Sequence, residues 1–107
     1  MELNKLQKYI ADTQRQMETP FRSGAEIMLA LIEEIGEISR EVALLEQIGS
    51  KTEWHKSPSR SNLAEEMIHA INLLLTLANQ FDLDLSQAYV EYLEKGDECL
   101  ISEDQNE

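Results

Sequence analysis

Cysteine is almost absent from this sequence, and proline, glycine, aromatic rings and basic residues are all scarce. The single cysteine, Cys99, has no partner in the chain for a disulfide, and no His or second Cys stands at zinc-ligand spacing from it. A disulfide-stapled fold and a cysteine zinc site are therefore both excluded. Two prolines and four glycines in 107 residues supply few turns, which argues against a many-stranded β architecture and for long helices. Nine Lys and Arg stand against 21 Asp and Glu, a net charge of −12. Such a chain is repelled by DNA, RNA and anionic lipid, so no nucleic-acid polymer is expected as a partner. The longest uncharged apolar run, near Ala70–Ala78, falls far short of the roughly 20 residues that span a bilayer, so no membrane partner is expected either. The opening MELNKLQKYI is charged and amphipathic rather than a signal-peptide core, and a cytoplasmic location is the expectation.

What is present is globular in composition, with 42% hydrophobic and 28% charged residues. The length suits one domain, read as residues 1–100 followed by a polar, acidic, frayed tail over 101–107. Four helices follow from periodicity and capping. The first runs from Leu3 to about Glu18, with Leu3, Leu6, Ile10 and Met17 on one face, and stops at Thr19-Pro20. The second opens at Ser23, whose spacing to Glu26 is that of a capping box. Its Ile27, Leu31, Ile35, Ile38, Val42 and Leu45 repeat at three- and four-residue steps and should be buried, and Gly49 should end it after Ile48. Asn62 and Glu65 have the spacing of another capping box, opening a third helix from Leu63 to about Gln80. That helix is apolar around most of its circumference and should lie deepest in the core. The fourth starts after Asp84, with Gln87 at the third helical position, and should end near Lys95-Gly96 or a turn later.

Between the second and third helices the apolar period vanishes over 49–61, which reads as a loop. It holds Lys51, His55, Lys56 and Arg60, the one basic stretch of an acidic protein. Such a loop is either a solvated connector or a lid over polyphosphate, with Trp54 placed to stack on a base.

Two acidic stretches stand out. Glu33-Glu34-Ile35-Gly36-Glu37, with Glu41 one turn on, puts carboxylates three and four residues apart on one helix face. Like charges at that spacing cost a helix about 0.2–0.5 kcal/mol per pair, and a bound hard cation reverses the sign. Gly36 inside the helix costs about 1 kcal/mol against alanine, which is easier to understand where something approaches the backbone closely. In Glu65-Glu66-Met67-Ile68-His69, Glu66 and His69 repeat the three-residue spacing of Glu34 and Glu37. Two antiparallel helices facing each other through these positions would gather four ligand side chains around one point.

The pattern E-E-x-x-E, a linker, then E-E-x-x-[D] before an apolar helix resembles the MazG-like nucleotide pyrophosphohydrolases. Glu33, Glu34 and Glu37 match the first motif and Glu66 the second, and the similarity runs from about Phe21 to Leu93, including Asp84-Leu85-Ser86-Gln87-Ala88. The resemblance implies an all-α, four-helix MazG-like bundle built on a central antiparallel helix pair and assembled as a homodimer or homotetramer. It implies hydrolysis of a nucleoside triphosphate, ribo or deoxy, to the monophosphate and pyrophosphate, as nucleotide house-cleaning. It implies Mg²⁺ on Glu34, Glu37 and Glu66, with Glu33 orienting or deprotonating the attacking water. His69 stands where the family has Asp, and adds Mn²⁺ as a candidate ion. Tyr92 and Gly96 stand where the family commonly has a Lys and an Asn near the phosphates. Trp54, Lys56, Arg60 and Lys95 are the candidates for substrate binding. A MazG-like domain without turnover, binding nucleotide or a protein partner, and a plain helical oligomerisation module are the other readings the residues leave open.

Overall fold

The structure is a computed structural model describing residues 2–17, 21, 23–48 and 59–106, with side chains placed up to Gly96 in the last helix. Its four helices are α1 (Leu3–Arg15), α2 (Gly24–Glu46), α3 (Arg60–Gln80) and α4 (Leu85–Asn106), and no strand occurs among the described residues. The chain is all-α.

Local chemistry explains most of the helix ends. Ser23 is extended, and its hydroxyl accepts from the Glu26 N–H at 3.2 Å, which caps α2. Asp84 does the same for α4, its carboxylate accepting from the Gln87 N–H at 3.1 Å. At α3 the structure corrects the sequence reading. The cap is Ser59, whose hydroxyl accepts from the Asn62 N–H at 3.1 Å, so the helix begins at Arg60. Asn62 thus lies inside the first turn, and Glu65 is freed from any capping role. Where α2 stops, Gln47 takes the left-handed conformation at φ 56°, and the Ile48 N–H reaches back to the Ala43 carbonyl at 3.1 Å. Gln47 therefore terminates the helix, while Gly49 lies outside the described residues. α1 closes at Arg15, three residues before the expected end. α4 runs past Gly96 to Asn106, so the acidic tail is helical up to that point. Its Ser, Glu, Asp and Gln residues include no helix breaker.

α2 and α3 form an antiparallel pair. Gly24, at the start of α2, meets Phe81 and Leu77 at the end of α3; a Cβ on Gly24 would come within 2.9 Å of the Phe81 ring. Further along the pair Glu34 faces His69. α1 lies against α3, and the start of α4 touches α1, where the Asn4 N–H donates to the Ser86 hydroxyl at 2.8 Å. A buried amide holds this end together. Gln7 donates from Nε2 to Asn79 Oδ1 and to the Leu83 carbonyl, and its Oε1 accepts from the Leu85 N–H. Asn79 in turn donates to the Gln7 carbonyl.

The core contains Ile10, Ile27, Leu31, Leu44, Ala70, Leu75 and Ala78. One sequence expectation fails here. Ile35 is 51% exposed, because it turns with Met28, Leu29 and Ile32 away from α3. α3 holds more buried residues than any other described helix (Ala70, Leu75, Thr76 and Ala78), yet it is not enclosed, since Met67, Ile68, Ile71 and Leu74 are all at least 40% exposed. α2 covers one of its sides and α1 another, and among the described residues nothing covers the third. The Cα radius of gyration is 18.1 Å, against about 13 Å for a compact chain of this length.

Candidate metal centre

The seam between α2 and α3 is apolar where Ile27 and Leu31 enter it and acidic one turn further on. Glu34 continues the Ile27–Leu31 stripe at the next helical step, so its carboxylate is carried inward rather than out to solvent. From α3, Glu66 and His69 stand one turn apart on the facing side. The antiparallel pairing brings the three together: donor atoms of Glu34, Glu66 and His69 all lie within 4.8 Å of one another. His69 Nδ1 is 3.6 Å from Glu34 Oε2 and 3.7 Å from Glu66 Oε2. Both distances exceed a hydrogen bond.

The two carboxylate side chains are only about a fifth exposed, at 20% and 21%, whereas His69 is 46% exposed and forms the open side of the cluster. Glu34 Oε2 and Glu66 Oε2 are fully covered and accept no hydrogen bond. Leaving a buried acceptor unmade costs about 1–3 kcal/mol, and more when it is charged. Both oxygens turn toward His69 Nδ1, within ion-pair reach of it. Glu41 Oε2 is likewise covered and accepts no hydrogen bond. Glu41 lies two turns beyond Glu34 on the same side of α2, outside the trio, and that seven-residue spacing was its signal in the sequence.

Glu37 sits beside Glu66 rather than within the trio. The Glu66 carboxylate holds the Glu37 carboxyl above its ordinary range, first through a hydrogen bond that requires a shared proton and then through charge repulsion, with slight desolvation adding to both. Arg40 and His69 pull the other way and do not win. A raised carboxyl favours the protonated native state, so its contribution to stability is full below the unfolded pKa and is lost as pH rises through the folded one. Glu37→Gln should accordingly raise the melting temperature of the ion-free protein at pH 7, and the gain should vanish as pH falls through the carboxylate range. Melts at stepped pH in the presence of a chelator check this; an equal gain at every pH would place its cause outside this pair.

The remaining predicted residues fall elsewhere. Glu33 is exposed on α2, one residue from Glu34 and outside the trio. Arg60 is the exposed first residue of α3, and Lys95 is exposed on α4, whose main packing is against α1. Trp54 and Lys56 lie outside the described residues. Among the described residues nothing lies within 4 Å of where a Cβ on Gly36 would stand, so none of them makes the close approach that its glycine invites. An apolar cleft of about 260 Å³ between α1 and α3, lined by Tyr9, Ile10, Phe21 and Leu73 among others, holds none of the predicted site residues.

No family model, no curated protein and no solved structure matches this chain. No described helix is long and apolar enough to cross a membrane.

Proposed function

We propose that this chain is a divalent-cation-dependent hydrolase of nucleoside triphosphates, ribo or deoxy, releasing pyrophosphate and the nucleoside monophosphate. The observation that carries the reading is the pair of covered oxygens of Glu34 and Glu66, which accept no hydrogen bond and converge with His69 between two antiparallel helices. The donor set fits a divalent ion such as Mg²⁺ or Mn²⁺, held by Glu34, Glu66 and His69, with Glu37 close enough to Glu66 to join them. When bound, the ion neutralises phosphate oxygens and lowers the pKa of a nearby water.

The chain's own residues do the rest. Glu34 and Glu66 would fix the triphosphate's position by holding the ion, whose positive charge would offset part of the repulsion that a chain of charge −12 exerts on a polyanion. Glu33, exposed beside Glu34, orients the attacking water and accepts its proton. The water oxygen bonds to the α-phosphorus, the bridging P–O bond to the β-phosphate breaks, and pyrophosphate leaves with that electron pair. Arg60, Lys95, Lys56 and Trp54 are the candidates for phosphate and base contacts. The motif resemblance supports the same chemistry, the MazG-like bundle and a role in nucleotide house-cleaning in the cytoplasm.

The assembly belongs to the same proposal. Met28, Leu29, Ile32 and Ile35 make an outward apolar stripe on α2, Met67, Ile68, Ile71 and Leu74 another on α3, and Gly36 leaves α2 open to close approach. A second copy of the chain, in a homodimer or homotetramer, covers both stripes.

The test is pyrophosphate release from a panel of NTPs and dNTPs with Mg²⁺ and with Mn²⁺, using Glu34→Gln as control. Release by the wild type that the variant abolishes is the expected result; no release above the variant across the panel would refute hydrolysis of ordinary nucleotides. His69 in an otherwise acidic motif favours a second reading, a nucleotide-binding domain without turnover. Saturable nucleotide binding with no release is its signature.

A further inference from the structure

We infer that the Glu34–Glu66–His69 trio selects a first-row transition ion over Mg²⁺, with His69 Nδ1 as the donor that discriminates. This rests on the reading above that the trio holds a divalent cation, and it names the class of ion.

Two carboxylates alone would not choose. Mg²⁺ is hard, takes oxygen, and holds its waters tightly, so a site meant for it alone gains little from a nitrogen. Imidazole suits Zn²⁺, Ni²⁺, Fe²⁺ and Cu²⁺, and affinity at mixed nitrogen and oxygen sites climbs from Mn²⁺ through Co²⁺ to Ni²⁺. The third corner here is nitrogen, and three details show it turned toward an ion.

First, the ring presents Nδ1 to both carboxylates, at 3.6 and 3.7 Å. Neighbouring donors at about 2.1 Å from one ion lie roughly 3.0–3.4 Å apart, so both nitrogen–oxygen distances stand a few tenths of an ångström beyond that spacing, and the whole trio lies within 4.8 Å. Second, the ring stands within ion-pair reach of both oxygens yet hydrogen-bonds neither, so their lone pairs and that of Nδ1 face one another across a common point. Third, His69 is the exposed member while the two glutamates are mostly covered. The ion's remaining positions therefore open on the side of the imidazole, where water and phosphate reach it. Three protein donors with open positions is the pattern of a catalytic rather than a closed structural site.

The experiment is calorimetric titration of the whole chain with MgCl₂, MnCl₂ and CoCl₂, comparing wild type with His69→Asp. Paramagnetically shifted imidazole resonances of the Co²⁺-loaded wild type supply a second readout that needs neither a variant nor turnover. The expected result is Co²⁺ binding about 100-fold or more tighter than Mg²⁺, with Mn²⁺ between them. In His69→Asp an oxygen donor replaces the nitrogen, so the ratio of Co²⁺ to Mg²⁺ affinity should fall by about tenfold or more, with Mg²⁺ gaining. Shifted resonances from one imidazole should appear in the wild type alone. Equal affinities for Co²⁺ and Mg²⁺, an unchanged ratio in His69→Asp, or no shifted imidazole signal would overturn the inference while leaving Mg²⁺-dependent hydrolysis standing. Selective Co²⁺ binding with the imidazole signature, but no pyrophosphate release with any ion, would support the inference and defeat the hydrolase reading.

Discussion

Glu66→Gln should abolish ion binding and pyrophosphate release together, and yet melt at a higher temperature than the wild type when no ion is present. The two effects have one cause. Glu66 Oε2 is covered, and the same side chain crowds Glu37. In the ion-free protein this carboxylate is a liability: one of its oxygens is covered and accepts no hydrogen bond, an omission that costs about 1–3 kcal/mol, and its charge repels that of Glu37. Glutamine has the same shape, carries no charge, and offers an N–H₂ that donates to Glu34 or Glu37. Stability rises and function falls. With the ion present the order reverses, because only the wild type gains from ligand binding to the folded state. A variant that merely damaged the fold would lose both, so melting curves with a chelator and with Mn²⁺ separate the explanations. Loss of stability in the ion-free variant would show that Glu66 is a structural partner rather than a ligand in waiting.

Ile32→Glu combined with Ile35→Glu should break the assembly into monomers. In the isolated chain these side chains are 61% and 51% exposed, and exposed substitutions away from special features usually change stability by no more than about 0.5 kcal/mol. Where a second copy covers them, each loses the burial of a large aliphatic side chain, about 1.5–3 kcal/mol apiece before the charge is counted. The two accounts thus differ by several kcal/mol on the same pair of residues. Light scattering during gel filtration reads the outcome directly: a wild-type mass of two or four chains should fall to that of one. A wild type that already elutes as a monomer, with the double variant equally stable, would mean that the apolar stripes of α2 and α3 serve something other than a second copy.

Much of the helical layout was legible in the residues because its causes are local. Ser23 and Asp84 cap as their spacing to Glu26 and Gln87 predicts. Asn62 misled because Ser59, three residues earlier, is an equally good capping residue, and the choice between two adjacent caps depends on what the first turn packs against. Gln47 ending α2 had no signal, since a non-glycine residue at positive φ is a feature of the folded backbone. The burial of Ile35 was overestimated and the open side of α3 missed for one reason: periodicity identifies a face that wants cover and cannot say which molecule supplies it. At the site, the three-residue spacings of Glu34 with Glu37 and Glu66 with His69 were readable. Which member of each pair meets which required the α2–α3 register, which the packing of Gly24 on Leu77 and Phe81 helps to set. That register draws Glu34, Glu66 and His69 together and leaves Glu37 at the side of Glu66. The buried amide of Gln7 gave no sign at all, because a polar residue on an inward face looks like a break in the pattern until its three partners, Asn79, Leu83 and Leu85, are seen.

The central claim is that a divalent cation belongs between Glu34, Glu66 and His69. The most direct test is a crystal grown with MnCl₂, with diffraction recorded either side of the manganese absorption edge. The account predicts an anomalous peak in the α2–α3 seam, within bonding distance of both glutamate Oε2 atoms and of His69 Nδ1. A seam without that peak, with His69 hydrogen-bonded to the two carboxylates instead, would contradict it.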